Sequence, residues 1–337
     1  MDDIDLTKTE ITNENVNFET RLNLAPLLDH VNSIKKEIET VIVGQHKMID
    51  QLLVAILSNG HVLLEGVPGV AKTITAKLLS KTLNIGFSRI QFTPDLMPSD
   101  ILGTSIFNLK NSEFEFKQGP IFSNLILIDE INRAPAKTQA ALFEVMEERQ
   151  STIDGSAFQL DTPFLVIATQ NPIEQEGTYR LPEAQLDRFL FKIEVGYPNL
   201  EQEIEIIKNQ HNNRLEDKTD VVQTIISGQQ LKEYQQLVKE IIVEQNLLEY
   251  IAKIIVNTRE NQFLYLGASP RASLALLTAS KAFAAIRGRD FVTPEDIKEA
   301  SFAVLRHRII VSPEREMEGL TADEIIRQIL ESIEVPR

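Results

Sequence analysis

A three-layer α/β domain on a five-stranded parallel sheet, followed by a smaller all-helical domain, is the fold that the sequence predicts. Three observations carry this reading. Five short apolar runs alternate with helical stretches between residues 61 and 193, strand signals stop after Tyr197-Pro198, and helical patterns fill the remainder. The chain has 337 residues, enough for two domains at roughly 100–200 residues each. Apolar residues make up 43% and charged residues 25%, a balance that can bury a sizeable core.

Residues 1–22 are polar, acidic and aperiodic, and read as a disordered or loosely docked tail. The α/β domain spans 23–198. It opens with a helical pattern in which Leu24, Leu27, Leu28, Val31, Ile34, Ile38 and Val41 recur at spacings of three and four. A second helix follows Val43-Gly44-Gln45 and carries Met48, Ile49, Leu52, Leu53, Ile56 and Leu57. The strand runs are His61–Leu64, Ser88–Phe92, Leu125–Ile128, Phe164–Ala168 and Phe189–Ile193. Three of them are apolar on both faces, as parallel strands covered by helices require. Helices between such strands impose right-handed crossovers. Two alternating polar stretches, 104–118 around Lys110-Asn111 and 150–160 around Asp154-Gly155, predict β-hairpin inserts. Residues 199–337 form the helical domain, with Thr293-Pro294-Glu295-Asp296 as a capped helix start.

Charge and composition narrow the function. With 34 Lys and Arg against 49 Asp and Glu, the formal charge is −15, which argues against a nucleic-acid coat. No basic–aromatic run suggests a nucleic-acid partner either. The absence of cysteine removes disulfides, thiolate metal sites and thiol nucleophiles, and it fits a reducing compartment. The five histidines are scattered without ligand spacing. The acidic start lacks the apolar stretch of a secretory signal, and the longest apolar run, Leu52–Leu57, is far short of the ~20 residues that span a bilayer. A cytoplasmic protein without membrane insertion is expected.

The chemistry starts at Gly66-Val67-Pro68-Gly69-Val70-Ala71-Lys72-Thr73, which follows the first strand and opens a helix. That is the setting of a phosphate loop, whose backbone N–H groups surround phosphate oxygens. Lys72 is placed to reach the β- and γ-phosphates of ATP, and the Thr73 hydroxyl to bind Mg²⁺. Ala71 stands where glycine is usual, but a backbone N–H donor at a helix start tolerates alanine. Leu125-Ile126-Leu127-Ile128-Asp129-Glu130 is an apolar strand ending in two carboxylates. A parallel strand aims that end at the crevice of the loop. Asp129 can then hold Mg²⁺ through water, and Glu130 can orient and polarise the attacking water.

The segment Asp129-Glu130-Ile131-Asn132-Arg133-Ala134-Pro135-Ala136-Lys137-Thr138-Gln139-Ala140-Ala141-Leu142 resembles the second acidic motif of the MoxR family of AAA+ ATPases. The resemblance extends through Met146–Gln150, Ala168–Pro172, Leu181–Phe189 and Gly267–Ala272, and covers roughly residues 35–310. Ala71 also resembles this family, whereas Arg180 departs from the proline expected there. The resemblance implies a P-loop AAA+ core with an all-helical lid, and further roles. Asn171 would be the sensor 1 residue sharing the lytic water with Glu130. Arg188 looks like the arginine finger offered to a neighbouring subunit. Arg271 would be sensor 2, touching the γ-phosphate from the lid side. Gly44 and Gln45 resemble the stretch beside the adenine.

A finger given to a neighbour implies a homo-oligomeric ring, for this family a hexamer. Hydrolysis would drive rotation of the lid against the core in chaperone-like remodelling or maturation of client proteins, often with a von Willebrand factor A domain partner. The hairpins would contact the client. The rival readings are a chelatase-like metal-insertion motor, a slow nucleotide-gated scaffold and a nucleic-acid motor.

Overall fold

The computed structural model describes residues 22–171, 179, 181–211 and 222–336. The expected tail lies outside them except for Leu22, which packs against the core. Pro172 and Arg180 of the resembling segments also lie outside.

Helix α1 (Ala25–Glu39) starts with Pro26 in its first turn and buries Leu27, Val31, Ile34 and Ile38 along one stripe. Helix α2 (His46–Leu57) is buried from Met48 to Leu57 except at Asp50. A helix apolar on nearly every side belongs in the centre of a fold. Strands β1 (Val62–Gly66), β2 (Phe87–Gln91), β3 (Gly103–Asn108), β4 (Glu113–Gln118), β5 (Leu125–Asp129), β6 (Gln150–Ile153), β7 (Ser156–Gln159), β8 (Leu165–Gln170) and β9 (Phe191–Val195) follow. Between them lie α3 (Lys72–Thr82), α4 (Pro98–Leu102), α5 (Ala136–Glu148) and α6 (Glu183–Leu186).

Five of the strands form one sheet in the order β2-β5-β8-β1-β9, all parallel. The three central strands are those that the sequence marks as apolar on both faces, and their side chains divide by parity between two cores. Leu125 and Leu127 point into the core shared with α1, α2 and α3, while Ile126 and Ile128 point into the one shared with α5. Register brings Gln91 beside Asp129, Glu65 beside Gln170, and Gly66 beside Val195. All the site-bearing strand ends therefore sit on one edge of the sheet.

Both expected hairpins are present, β3 with β4 and β6 with β7. Asp154 and Gly155 both have positive φ, the tight-turn geometry that Asp-Gly favours. The two hairpins also pack on each other: Phe116 stacks on Phe158 with ring centroids 4.1 Å apart, and Ser105 Oγ donates to Asp154 Oδ2 at 2.5 Å.

The C-terminal half contains α7 (Leu200–His211), α8 (Gly228–Lys239), α9 (Gln245–Glu260), α10 (Pro270–Ile286), α11 (Pro294–Leu305), α12 (Pro313–Met317) and α13 (Ala322–Ser332). It also carries a short antiparallel ladder that the sequence does not announce, β10 (Leu264–Leu266) with β11 (Ile310–Val311). Small residues let α10 and α11 approach closely: Ala272, Ala279 and Ala282 on one, Ala300 and Ala303 on the other, all buried. Helices α1 and α2 touch both halves, packing on α3 and β9 and also on α10 and α8. One continuous hydrophobic core therefore runs from the sheet into the helical half. No helix among the described residues is long and apolar enough to cross a membrane.

Candidate functional site

The phosphate loop leaves the sheet at Gly66, where only glycine fits: a Cβ there would lie 2.6 Å from the Val195 carbonyl oxygen. Val67 and Val70 anchor the loop against the core, and Pro68 and Gly69 stand exposed at its tip. Gly69 (φ 87°) and Ala71 (φ 62°) are both left-handed, and Ala71 is the N-cap of α3. A left-handed alanine costs on the order of 1–2 kcal/mol, strain of the kind found at functional sites. It turns the chain so that Lys72 and Thr73 enter the first turn of α3, where the free N–H groups and the helix dipole favour an anion. Lys72 Nζ donates to the Gly66 carbonyl at 2.5 Å, folding the ammonium back over the loop. Burial lowers the Lys72 pKa, opposed by the charges of Asp129, Glu130 and Glu65.

The acid pair meets this loop across a cavity of about 420 Å³, lined by Pro68, Gly69, Lys72, Thr73, Asp129, Glu130, Thr169 and Asn171 among others. Asp129 is buried at 7% exposure, its carboxylate held by Arg89 Nε at 2.7 Å and by the Thr169 hydroxyl at 3.3 Å. Glu130 is left-handed (φ 58°), and its N–H donates to the Thr169 hydroxyl at 3.1 Å. Thr169 thus accepts from one acid's backbone and donates to the other's carboxylate. The Glu130 carboxylate accepts from Gln91 Nε2 at 2.8 Å and pairs with Arg133 Nε at 3.0 Å. No cluster of three His, Cys, Asp or Glu that could cage a metal exists among the described residues. One hydroxyl and one carboxylate in a cavity fit Mg²⁺, which keeps waters and takes its other ligands from phosphates.

Arg188 and Arg271 stand elsewhere. Arg188 Nε pairs with Glu147 Oε2 at 3.2 Å, and Arg271 Nη2 pairs with Glu147 Oε1 at 2.5 Å. They line a cavity of about 320 Å³ with Asn59, His61, Glu147, Asp187 and Leu274, none of which borders the phosphate cavity. Arg271, expected at the γ-phosphate from the lid side, does not line the phosphate cavity of its own chain. Pro270 starts α10 beside the C-terminal end of α5, and there Glu147 draws Arg271 to Arg188. Gly44 and Gln45 are consecutive left-handed residues, with Gln45 Nε2 donating to the Gly196 carbonyl at 3.1 Å. They lie at the end of β9, next to the base of the loop but outside its cavity.

The sequence reading gave no role to Arg89, Gln91, Thr169 or Glu147. Arg89 and Gln91 could have been found: they alternate on an edge strand in register with the acid pair. Glu147 carries no local signal, because its partners come from distant segments.

His61 is buried below the Arg188 cavity. Its Nδ1 accepts from the Val166 N–H at 3.0 Å and its Nε2 faces the Met146 carbonyl at 3.1 Å, pinning α5 to the sheet as a neutral ring. Burial, with the charge of Arg149, pushes its pKa down from 6.5 to about 4 against the pull of the Met146 carbonyl. Between those values the unfolded chain binds a proton that the folded chain does not, so stability falls on acidification. The expected loss between pH 6.5 and 4 is about 3 kcal/mol at full protonation. Melting temperature against pH checks it: His61→Gln should decline less steeply than wild type from pH 6.5 to 5, and equal slopes would refute the assignment.

A phosphate-loop cleft at the C-terminal edge of a parallel sheet, followed by a helical lid, is the architecture of the AAA+ class. Comparison with known proteins agrees. Residues 61–191 match the ATPase family associated with various cellular activities, and residues 256–329 match the AAA lid domain. The Chaperone MoxR1 of Mycobacterium tuberculosis is 44% identical over 89% of this chain and 81% of its own length. The uncharacterized YeaC of Bacillus subtilis is 44% identical over 93% and 96%. A crystal structure from Cytophaga hutchinsonii, of a protein assigned as an ATPase, superposes with a TM-score of 0.84 at 45% identity, covering 93% of this chain and 98% of that one. The chain belongs to the MoxR family of AAA+ ATPases.

Proposed function

We propose that this chain assembles into a ring, a hexamer by family resemblance, in which Mg²⁺-dependent ATP hydrolysis between subunits remodels or matures client proteins. The observation that carries the ring is the separation of the two arginines from the phosphate cavity of their own chain. Arg188 and Arg271 share one carboxylate on a different face, so a head-to-tail contact would bring both to a neighbour's nucleotide. On this reading the loop N–H groups, Lys72 and Thr73 hold the triphosphate, and Asp129 holds a water of the metal shell. Glu130 orients the attacking water with Asn171. Bound Mg²⁺ would neutralise charge on the β- and γ-phosphates. Arg188 and Arg271 would neutralise charge developing on the neighbour's γ-phosphate.

Client binding is supported by the chaperone name of one relative and by the β3–β4 hairpin. Its Ile106, Phe107, Leu109 and Phe114 are exposed, Leu109 at 86%. Exposed apolar residues gathered on one protruding hairpin suit transient contact with apolar peptide. A von Willebrand factor A domain partner and a cytoplasmic setting complete the proposal. The test is ATP turnover per subunit against protein concentration, with light scattering on the same samples. Turnover should rise as a larger species forms. Activity independent of concentration would refute the shared site.

A further inference from the structure

The segment that carries Arg188 is gripped from the lid by one buried side chain. Arg308, just beyond α11, is 2% exposed. Its Nε donates to Asp187 Oδ1 at 2.7 Å, and its Nη2 donates to the carbonyls of Asp187 at 3.0 Å and Phe189 at 2.6 Å. Its Nη1 donates to the carbonyls of Leu190 at 3.1 Å and Val304 at 2.5 Å. His307 adds a contact from Nε2 to the Phe189 carbonyl at 3.0 Å. The second oxygen of Asp187 accepts from Ser269 Oγ at 2.9 Å, two residues before Arg271.

An arginine that merely anchored a lid could bond anywhere on the core. Every core partner of Arg308 instead falls within residues 187–190, which bracket Arg188. The guanidinium fork has donors in fixed directions, so these bonds fix the path of the backbone as well as holding it. Beyond the backbone, the Arg188 side chain rests on Glu147, whose other oxygen is taken by Arg271 of the lid. Lid contacts therefore fix the backbone under Arg188, while its guanidinium is held by α5 through Glu147 and the Phe143 carbonyl, with Arg271 of the lid joined to it through Glu147.

We infer that Arg308 is a positioning residue for Arg188, so that the lid of one subunit sets hydrolysis in the next. This rests on the reading of Arg188 as a finger given to a neighbour. Asp187 joins them, since its two carboxylate oxygens accept from Arg308 and from Ser269 of the lid while its neighbour in the chain is Arg188.

The test uses Arg308→Lys, which keeps the charge and loses the fork. This variant should assemble and bind a fluorescent ATP analogue as wild type does, while its turnover falls about tenfold or more. The distinguishing step is mixing before nucleotide is added. Glu130→Gln subunits have a dead pocket and a sound finger, whereas Arg308→Lys subunits have a sound pocket and a displaced finger. An equal mixture should recover roughly a quarter of wild-type turnover, because a heterologous contact pairs a sound pocket with a sound finger at one site in four. Arg188→Ala mixed with Glu130→Gln is the control. Recovery in the control but not with Arg308→Lys overturns the positioning role alone. Recovery in neither removes the neighbour reading, and the inference with it. Wild-type turnover in Arg308→Lys also overturns it. If Arg308→Lys melts well below wild type, Asp187→Ala, which removes the carboxylate shared by Arg308 and Ser269, carries the same mixing test and must give the same pattern.

Discussion

Glu130→Gln is expected to bind ATP like wild type and to lose turnover by a factor on the order of 10²–10⁴, the range for a positioned base. The geometry explains why binding survives. Glu130 meets the cavity from the end of β5, opposite the loop, and its contacts with Gln91 and Arg133 lie at the surface. A glutamine has the same length and still offers a carbonyl oxygen to either partner. Losing an exposed pair costs about 0–1 kcal/mol, so the fold is untouched. What disappears is the negative charge that, on the proposed role, polarises the attacking water. Lys72→Ala should fail at the earlier step and lose nucleotide binding, because the ammonium folded over the loop is the cation proposed to hold the phosphates. Equilibrium binding and phosphate release, measured on the same preparations, separate the two variants. Equal turnover in Glu130→Gln and wild type would sink the catalytic assignment.

The sheet was legible because each of its strands has a local pattern. Four aliphatics before Asp129-Glu130 say both that the strand is central and which end carries the chemistry. Gly66, Gly69 and the following Ala71-Lys72-Thr73 likewise declare a strand–loop–helix turn within eight residues. The place of Arg271 was not legible. Its distance from the phosphate loop depends on how α10 packs on α11, α9 and α2, contacts made between segments far apart in sequence. The same holds for Asp187 and Arg308, which lie far apart in sequence and look like ordinary surface charges until the fold buries them together. The β10–β11 ladder escaped because a strand of two or three residues has too short a period to register. Local chemistry reads forward from sequence, whereas coupling between halves of the molecule needs the packed structure.

Arg188→Ala should assemble as wild type does and lose turnover by ~10³–10⁵, the usual contribution of an arginine finger. Assembly survives because the side chain is partly exposed, and Glu147 keeps Arg271 as a partner. The Phe143 carbonyl that accepts from Arg188 sits within α5, where the helix supplies its own bond. Nucleotide binding to the subunit's own loop should be unchanged, since no residue of the 420 Å³ cavity touches Arg188. Arg271→Ala should reduce turnover in the same sense. The double variant should fall by less than the product of the single effects, because both arginines are oriented by one carboxylate, and side chains that share a partner do not act independently. Turnover of the four proteins, measured above the assembly concentration with light scattering on each, gives the coupling directly. A double variant whose loss equals the product would mean that Glu147 holds two unrelated arginines. Undiminished turnover in Arg188→Ala would place the finger elsewhere in the chain.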